Sequence, residues 1–201
     1  SEVTIDGVSY ILTNTDIEGN PRPNPAGTVP DMGAYENENG VGPYDGPLWY
    51  VNGAEALPYG NGSVSAPYSM ISSAIGAAES GDTVHVAAAT YVENINFNGK
   101  NIAVIGAGRE TTIIDGDGQG TVVTFNNGED ATAVLSGFTI TNGNAAATGG
   151  GIFCSGASPT LNNLTISGNT AADGGGLYFF QGNPTVLQVY RLRHIVIIVM
   201  L

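Results

Sequence analysis

The sequence predicts an all-β protein, a right-handed, single-stranded parallel β-helix with a short capping helix near its N-terminal end and about 25 residues per coil. Three observations lead to this prediction: the composition, an internal repeat and one amphipathic segment. Of 201 residues, 30 are glycine and 42% are hydrophobic, whereas only 11% are charged. Short strands joined by Gly and Asn turns have such a composition. Lys, Arg, Glu and Leu are scarce, which argues against a helical protein.

The internal repeat lies in the C-terminal half of the chain, where residues 138–161 recur as 164–186, with matched positions 25 or 26 apart. A fixed period in the twenties indicates a solenoid. A leucine-rich repeat of this period would need a Leu framework with Asn or Cys at the strand end, and neither repeat has it. Stacking of coils would place these matched residues in inward ladders: Phe138 on Leu164, Ile140 on Ile166, Ile152 on Leu177 and Leu161 on Val186.

The polar positions of the repeat carry two further predictions. Thr139 over Thr165 would form an outward row of hydroxyls suited to solvent or to a flat polar ligand. The Gly-Gly-Gly runs that begin at Gly149 and Gly174 predict corners that need a positive φ. They lack the Lys-Ser/Thr and the helix of a phosphate-binding loop.

The amphipathic segment spans residues 68–79, and its apolar residues fall at i, i+3, i+4 and i+7 on one stripe. These residues are Ile71, Ala74, Ile75 and Ala78. Gly81 follows as the expected C′ residue of the helix. We expect this helix to cap the first coil and protect an open sheet edge.

Four regions follow from these patterns. Residues 1–37, which begin with Ser1 and contain a Pro-rich stretch, read as the C-terminal remnant of a preceding β-helix domain, and 38–47 as a linker. Residues 48–186 form the β-helix. The segment 187–201 breaks the repeat, so we expect a fragment with a truncated or frame-shifted end.

The charge balance limits the classes of partner. The net charge is −13 with five Lys and Arg, so nucleic acid would be repelled, and a polyanionic substrate is disfavoured unless metal ions intervene. The apolar run near the C-terminus is too short to span a bilayer. Cys154, the one cysteine, allows no internal disulfide. We expect an extracellular or cell-surface protein.

Acidic residues raise two chemistries. Asp115 and Asp117 could supply calcium ligands from one turn, but the twelfth position of an EF-hand loop holds Asn126 instead of Glu. A solvated turn is the favoured interpretation, and calcium stays a weak alternative to having no cofactor. Glu93 lies on a neighbouring coil, and nothing in the sequence shows that it converges with the two Asp as a glycosidase pair would.

The other candidate groups have structural explanations. His85 alternates with buried valines, which turns it outward as a surface residue instead of a catalytic base. Cys154 matches Phe179 in the repeat and should fill a core position. Lys100 and Arg109 are the only cations between residues 48 and 186. No catalytic residue and no metal ligand is therefore assigned.

The run from Trp49 to Gly116 resembles the opening of pectin-lyase-like β-helix proteins. The pieces that carry this resemblance are Tyr50-Val-Asn-Gly, Ala66-Pro-Tyr-Ser-Met-Ile-Ser-Ser-Ala-Ile, Ser80-Gly-Asp-Thr-Val-His-Val, Thr90-Tyr-Val-Glu-Asn-Ile, Lys100-Asn-Ile-Ala-Val-Ile-Gly and Thr112-Ile-Ile-Asp-Gly. The Gly-Gly-Gly-(Ile/Leu) repeats resemble those of bacterial surface proteins, including the polymorphic outer-membrane and adhesin-type families. Pro30-Asp-Met-Gly-Ala-Tyr-Glu resembles the segment that closes such β-helix domains.

Two functions are consistent with this resemblance. The first is a secreted or cell-surface repeat module with a structural, adhesive or carbohydrate-binding role, for which a polysaccharide or a cell-surface glycan is the expected partner. The alternative is a piece of a polysaccharide-active lyase, hydrolase or esterase whose catalytic coils lie beyond residue 201. The fold hosts all of these activities. The central motifs of pectate lyases, pectinesterases and polygalacturonases are absent, which favours the non-enzymatic module for this piece.

Overall fold

The structure, a computed structural model, describes residues 2–5, 8–11, 44–54, 60–190 and 195–198, the first two and the last of these ranges by their backbone only. Contacts divide the chain into two compact units, Ser1–Tyr44 and Asp45–Leu201. In the first unit, β1 (Glu2–Ile5) and β2 (Val8–Ile11) form an antiparallel pair. The predictions made for residues 1–43 and 191–201 lie largely outside the described residues and stay predictions.

The second unit is built from short strands and one helix. In chain order these are β3 (Leu48–Val51), α1 (Ile71–Ala77), β4 (Thr83–Val86), β5 (Thr90–Val92), β6 (Ile95–Asn96), β7 (Ala103–Gly106), β8 (Ile113–Asp115), β9 (Val123–Phe125), β10 (Val134–Ser136), β11 (Thr139–Thr141), β12 (Ile152–Ser155), β13 (Thr160–Ile166), β14 (Leu177–Phe180), β15 (Thr185–Tyr190) and β16 (Ile195–Ile198).

Three sheet faces wind through this unit, and every pair among its described strands is parallel. The first face contains β3, β4, β7, β10 and the first part of β13, and the second contains β5, β8, β11 and the second part of β13. The third face is β6, β9, β12, β14 and β16, while β15 follows β13. The predicted class, an all-β parallel β-helix, is confirmed.

The coil length varies along the solenoid. On the first face Leu135 pairs with Leu161, and Leu161 with Val186, so these two coils have the length that the repeat predicts. The earlier coils differ from it. The coil that joins Val84 to its partner Val104 is shorter than the repeat, and the coil from Val104 to its partner Leu135 is longer. Turns absorb these differences while the strands stay in register.

Alternation along each strand builds the core. Inward residues stack coil on coil, and the predicted pairs Ile140/Ile166, Ile152/Leu177 and Leu161/Val186 are confirmed in the register. Phe138 and Leu164, which precede the Ile140/Ile166 pair by one alternation, are both fully buried. Burying each such side chain contributes about 1.5–3 kcal/mol. Val186 is the exception: it belongs to the last described coil of this face and is 40% exposed.

A ladder of large residues fills the third face. Phe97 and Phe125 pack with ring centroids 4.2 Å apart, and Cys154 is in register with both Phe125 and Phe179. Cys154 is fully buried, so its predicted core position is confirmed. The thiol takes the place of an aromatic ring in this ladder.

The Gly-rich corners take the predicted backbone conformation at their first residue, since φ is +64° at Gly149 and +62° at Gly174. The third glycine is required for a different reason. A Cβ on Gly151 would lie 2.5 Å from the carbonyl oxygen of Gly176 on the next coil, so only hydrogen fits between these backbones.

The helix α1 covers the first coil and is shorter than its predicted span of 68–79. Ile71, Ala74 and Ile75 are buried, which confirms the apolar stripe. The prediction of Gly81 as the C′ residue is wrong. Ala78 ends the helix in an extended conformation, and Gly81, with φ +101°, lies in the turn before β4. No helix of the described part of the chain is long and apolar enough to cross a membrane.

Both ends of α1 are held by charged side chains from the coil beneath it. The Glu93 carboxylate accepts hydrogen bonds from the N–H groups of Ile71 and Ser72 at 2.8 and 2.9 Å. At the other end, Lys100 Nζ donates to the carbonyl oxygens of Ile75, Gly76 and Ala78 at 2.7–2.8 Å. Each charge complements the helix dipole and satisfies backbone groups that the helix leaves unpaired.

A second carboxylate ties coils together from inside. Glu129 is 1% exposed and accepts the N–H groups of Gly99 at 2.8 Å and Asn127 at 3.0 Å. Its backbone oxygen accepts the N–H of Ser158, 2.7 Å away on the following coil. Hydrogen bonds to this buried charge offset part of its desolvation cost.

We expect Lys100→Met to lower the free energy of unfolding by about 2 kcal/mol, because three helix carbonyls lose a charged donor. Urea denaturation followed by circular dichroism measures the change. Glu110→Gln is the control: the Glu110 side chain is 80% exposed, so its substitution should change stability by less than about 0.5 kcal/mol. If Lys100→Met and the wild type were equally stable, the hydrogen bonds from Lys100 to the end of α1 would contribute nothing to the free energy of unfolding.

Two Gly→Ala substitutions should have opposite effects. Gly151→Ala should destabilise the protein by at least about 2 kcal/mol, because its methyl group meets the neighbouring backbone. Gly76 lies in α1, and beyond the adjacent residues and backbone of its own helix no atom comes within 4 Å of an added Cβ, so Gly76→Ala should stabilise the protein by about 0.5–1 kcal/mol. Thermal denaturation of both variants gives the comparison, and a shift of the same sign in both would contradict the close-approach argument.

Candidate functional site

A groove opens on the outward side of the first face, where β3, β4 and β7 lie next to one another. The register places Tyr50 beside His85 and His85 beside Ile105, all at outward positions of their strands. The groove has a volume of about 480 Å³. Its described lining is Tyr50, Val51, Asn52, Val64, Pro67, His85, Val86, Ala87, Ile105, Gly106 and Ala107.

A loop that follows the edge of β3 forms one wall of the groove. Tyr50 donates its N–H to the carbonyl of Gly62 at 2.8 Å and accepts from the N–H of Tyr68 at 2.9 Å. Asn52 extends this pairing by donating its N–H to the Tyr68 carbonyl at 2.9 Å. The wall therefore has a fixed position, and it presents Val64, which is 73% exposed, at the rim.

The polar part of the groove is a pair of stacked rings. The rings of Tyr50 and His85 are 5.5 Å apart between centroids and inclined by 25°. His85 is exposed, as the alternation predicts. The described lining contains no Asp, Glu, Lys or Arg, so a charged group that could act as acid, base or nucleophile beside His85 is missing from it. Apart from Tyr50, Asn52 and His85, the side chains of the described lining are apolar.

The acidic residues singled out in the sequence have other partners. Glu93 holds the N-terminus of α1. Asp115 accepts the N–H of Asp117 at 2.9 Å and the side-chain amide of Asn142 at 2.9 Å, one on each carboxylate oxygen. Neither set of contacts joins Glu93 to the two aspartates as a catalytic pair.

Asp117 lies in a left-handed turn, with φ +50°, and lines a separate hollow of about 310 Å³ with Asn144 and Thr170. No cluster of three His, Cys, Asp or Glu side chains that could hold a metal ion occurs among the residues the structure describes. Each oxygen of Asp115 accepts one hydrogen bond, so a calcium ion would compete with the Asp117 N–H and the Asn142 amide for this carboxylate. The calcium hypothesis stays a prediction.

The predicted hydroxyl row on the second face is formed, and the hydroxyls of both threonines already have protein partners. Thr139 pairs with Thr165 as predicted. The Thr139 hydroxyl, however, donates to the backbone oxygen of Arg109 at 2.6 Å, and the Arg109 guanidinium donates to the Thr165 hydroxyl at 3.2 Å. The same guanidinium lies 4.3 Å from the ring centroid of Tyr190. The loop around Arg109 therefore covers the row, which the spacing of the repeat could not reveal.

The sequence does not predict the groove, because the residues that line it come from coils of unequal length. The spacing from Tyr50 to His85 is longer than the repeat, and the spacing from His85 to Ile105 is shorter. The usable signal was the outward position of each residue within its own strand. The register between the strands is needed to bring them together.

No protein-family description matches the chain, and no curated protein matches it by sequence. Among solved structures the chain is similar to a pectin methylesterase mutant crystallised in complex with a hexasaccharide. The identity is 14% and the TM-score 0.47, over 69% of this chain and 49% of that chain. The match spans about half the length of that enzyme, and a likeness this distant supports no functional argument.

Cys154 is excluded as a nucleophile by its surroundings. Burial raises the pKa of its thiol, and the nearby negative charge of Glu129 raises it further. The side chain is fully buried between two phenylalanine positions of the core ladder. A protonated, inaccessible thiol has a packing role.

The raised pKa of Cys154 predicts a stability change at alkaline pH. In the unfolded chain the thiol ionises near its ordinary pKa of 9.0, whereas the folded state keeps it protonated. The protonated thiol therefore makes its full contribution to the free energy of unfolding below about pH 8.5. Above that pH the contribution is lost, by about 1.4 kcal/mol per pH unit.

Urea denaturation of the wild type and of Cys154→Ala between about pH 8 and pH 10.5 measures this effect. The stability advantage of the wild type should shrink over that range, while tyrosine and lysine titration affects both proteins alike. A constant difference across the range would contradict the raised pKa.

Proposed function

We propose that the β-helix is a carbohydrate-binding module of a secreted or cell-surface protein, and that the groove beside Tyr50 and His85 holds the saccharide. The stacked pair of rings is the observation on which this proposal rests. The inner faces of the two rings cover each other, so a pyranose would pack its apolar C–H face on an outer ring face, and the polar edges of the rings would bind its hydroxyl groups.

The shape of the groove supports the same function. Small-molecule sites combine an apolar lining with a few fixed polar groups. Here Val64, Pro67 and Ile105 supply the apolar part, and the polar lining is Tyr50, His85 and Asn52, whose side-chain oxygen accepts the N–H of Ala54 at 3.2 Å. Tyr50, His85 and Ile105 stand on paired strands, so little ordering of the backbone is needed on binding.

The chemistry of the lining supports binding over turnover. Glycoside hydrolysis uses two carboxyl groups that flank the scissile bond. The described lining has none, and Glu93 and Asp115 are engaged elsewhere. The alternative is a polysaccharide-active enzyme whose catalytic coils lie beyond residue 201. The two functions predict different results, because a longer protein that includes catalytic coils would release sugar from a polysaccharide, whereas a binding module would not.

A saccharide array followed by isothermal titration calorimetry tests the proposal. We expect micromolar to millimolar binding of at least one oligosaccharide, with no product release over a long incubation. Tyr50→Ala should weaken that binding by about tenfold or more, because it removes one ring of the stacked pair, a loss of about 1.4 kcal/mol. His85→Ala should weaken it by a smaller factor.

Tyr178→Ala is the matched control. Tyr178 also stacks on an outward aromatic residue, Phe153, with centroids 5.7 Å apart, but on the third face. It should leave saccharide binding unchanged. Loss of binding in Tyr178→Ala, with full binding in Tyr50→Ala, would move the site to the third face. Turnover of a bound saccharide by the chain would overturn a purely binding role.

A further inference from the structure

We infer that the groove selects neutral saccharides and rejects those that carry carboxylates, such as uronic acids. This inference rests on the proposed function and names the ligand class of the same site. It is argued from the groove lining, from the partners of the cations and from the charge of the whole chain.

The groove offers no permanent cation to an anionic sugar, since the one basic side chain of its described lining is His85, stacked on Tyr50. Its described lining residues include no Lys or Arg. A carboxylate placed against the apolar wall of Val64, Pro67 and Ile105 would lose part of its hydration without gaining an ion pair. A hydroxymethyl group at the same position has no such cost, so the lining discriminates between the two.

The described cations cannot serve as substitutes, because both hold the fold together. Lys100 directs its ammonium group at three helix carbonyls. Arg109 contacts Thr165, the ring of Tyr190 and the carboxylate of Glu110. Moving either side chain to the groove would break these contacts.

The charge of the whole chain adds repulsion at longer range. The net charge of −13 produces a negative potential that opposes the approach of a polyuronate. This repulsion acts between solvated charges, so it weakens as ionic strength rises. Binding of a neutral saccharide has no such dependence. The response to salt therefore separates charge repulsion from a simple mismatch of shape.

The test compares each neutral hexasaccharide of a panel with the same sugar oxidised to the carboxylate at C6. Titration calorimetry is done in EDTA at about 20 mM and about 500 mM NaCl, since screening differs strongly between these conditions. At low salt the carboxylated form of the ligand that binds should be at least about tenfold weaker than the neutral form. At high salt the gap should narrow, with the affinity for the neutral form unchanged.

A charge introduced into the groove should reverse the preference. Ile105→Lys places an ammonium group at a half-exposed, outward position of the lining. It should raise the ratio of the affinity for the carboxylated sugar to the affinity for the neutral sugar by about fivefold or more at low salt, and it should weaken binding of the neutral sugar because it interrupts the apolar wall. Thr124→Lys is the matched control, because it adds the same charge at an outward position of the third face. It should have little effect on either ligand.

The outcomes distinguish this inference from the proposed function. If the wild type binds a carboxylated sugar as tightly as its neutral counterpart, or more tightly, selectivity for neutral ligands is wrong while carbohydrate binding stands. If neither form of any sugar binds, both proposals fail. Circular dichroism of Ile105→Lys checks its fold, and the salt comparison on the wild type tests the inference without any variant.

Discussion

The stacking of one coil on the next, in register, is the constraint on which the rest of the molecule depends. Strands exchange backbone hydrogen bonds with the equivalent strands of the following coil, so each inward residue lies on its counterpart. A slip of one position would turn Thr139 inward and Ile140 outward. The tight Gly151–Gly176 contact follows from the same requirement, because the corner backbones must approach as closely as the strands do.

The charged side chains of Glu93, Lys100 and Arg109 lie where they hold the coils and the helix α1 together. At the first coil, α1 covers the core and is fixed by Glu93 and Lys100. Along the second face, Arg109 crosses from one coil to the next two. The described cations therefore serve the solenoid itself. This placement leaves no Lys or Arg among the described residues that line the groove.

The groove occurs where the solenoid is least regular. The coils from Leu135 onward keep the length of the repeat, and the loop around Arg109 covers part of their second face. In the first coils, the chain leaves β3, forms the wall that carries Val64, and passes through α1 before it returns as β4. The departure from the repeat creates the concavity, and the paired strands give it a rigid floor. Binding sites commonly combine an irregular loop with a regular scaffold in this way.

The sequence by itself determined the solenoid. The internal repeat and the inward–outward alternation give the stacked pairs Ile140/Ile166 and Ile152/Leu177, the buried place of Cys154, the exposed place of His85 and the apolar stripe of α1, because these properties depend on local periodicity. The tertiary structure alone decided where α1 ends, that Glu129 is buried, that the loop around Arg109 contacts Thr139, and that the rings of Tyr50 and His85 stack. Each of these contacts joins residues of different coils across loops of unequal length, and no local period records which turns absorb the extra residues.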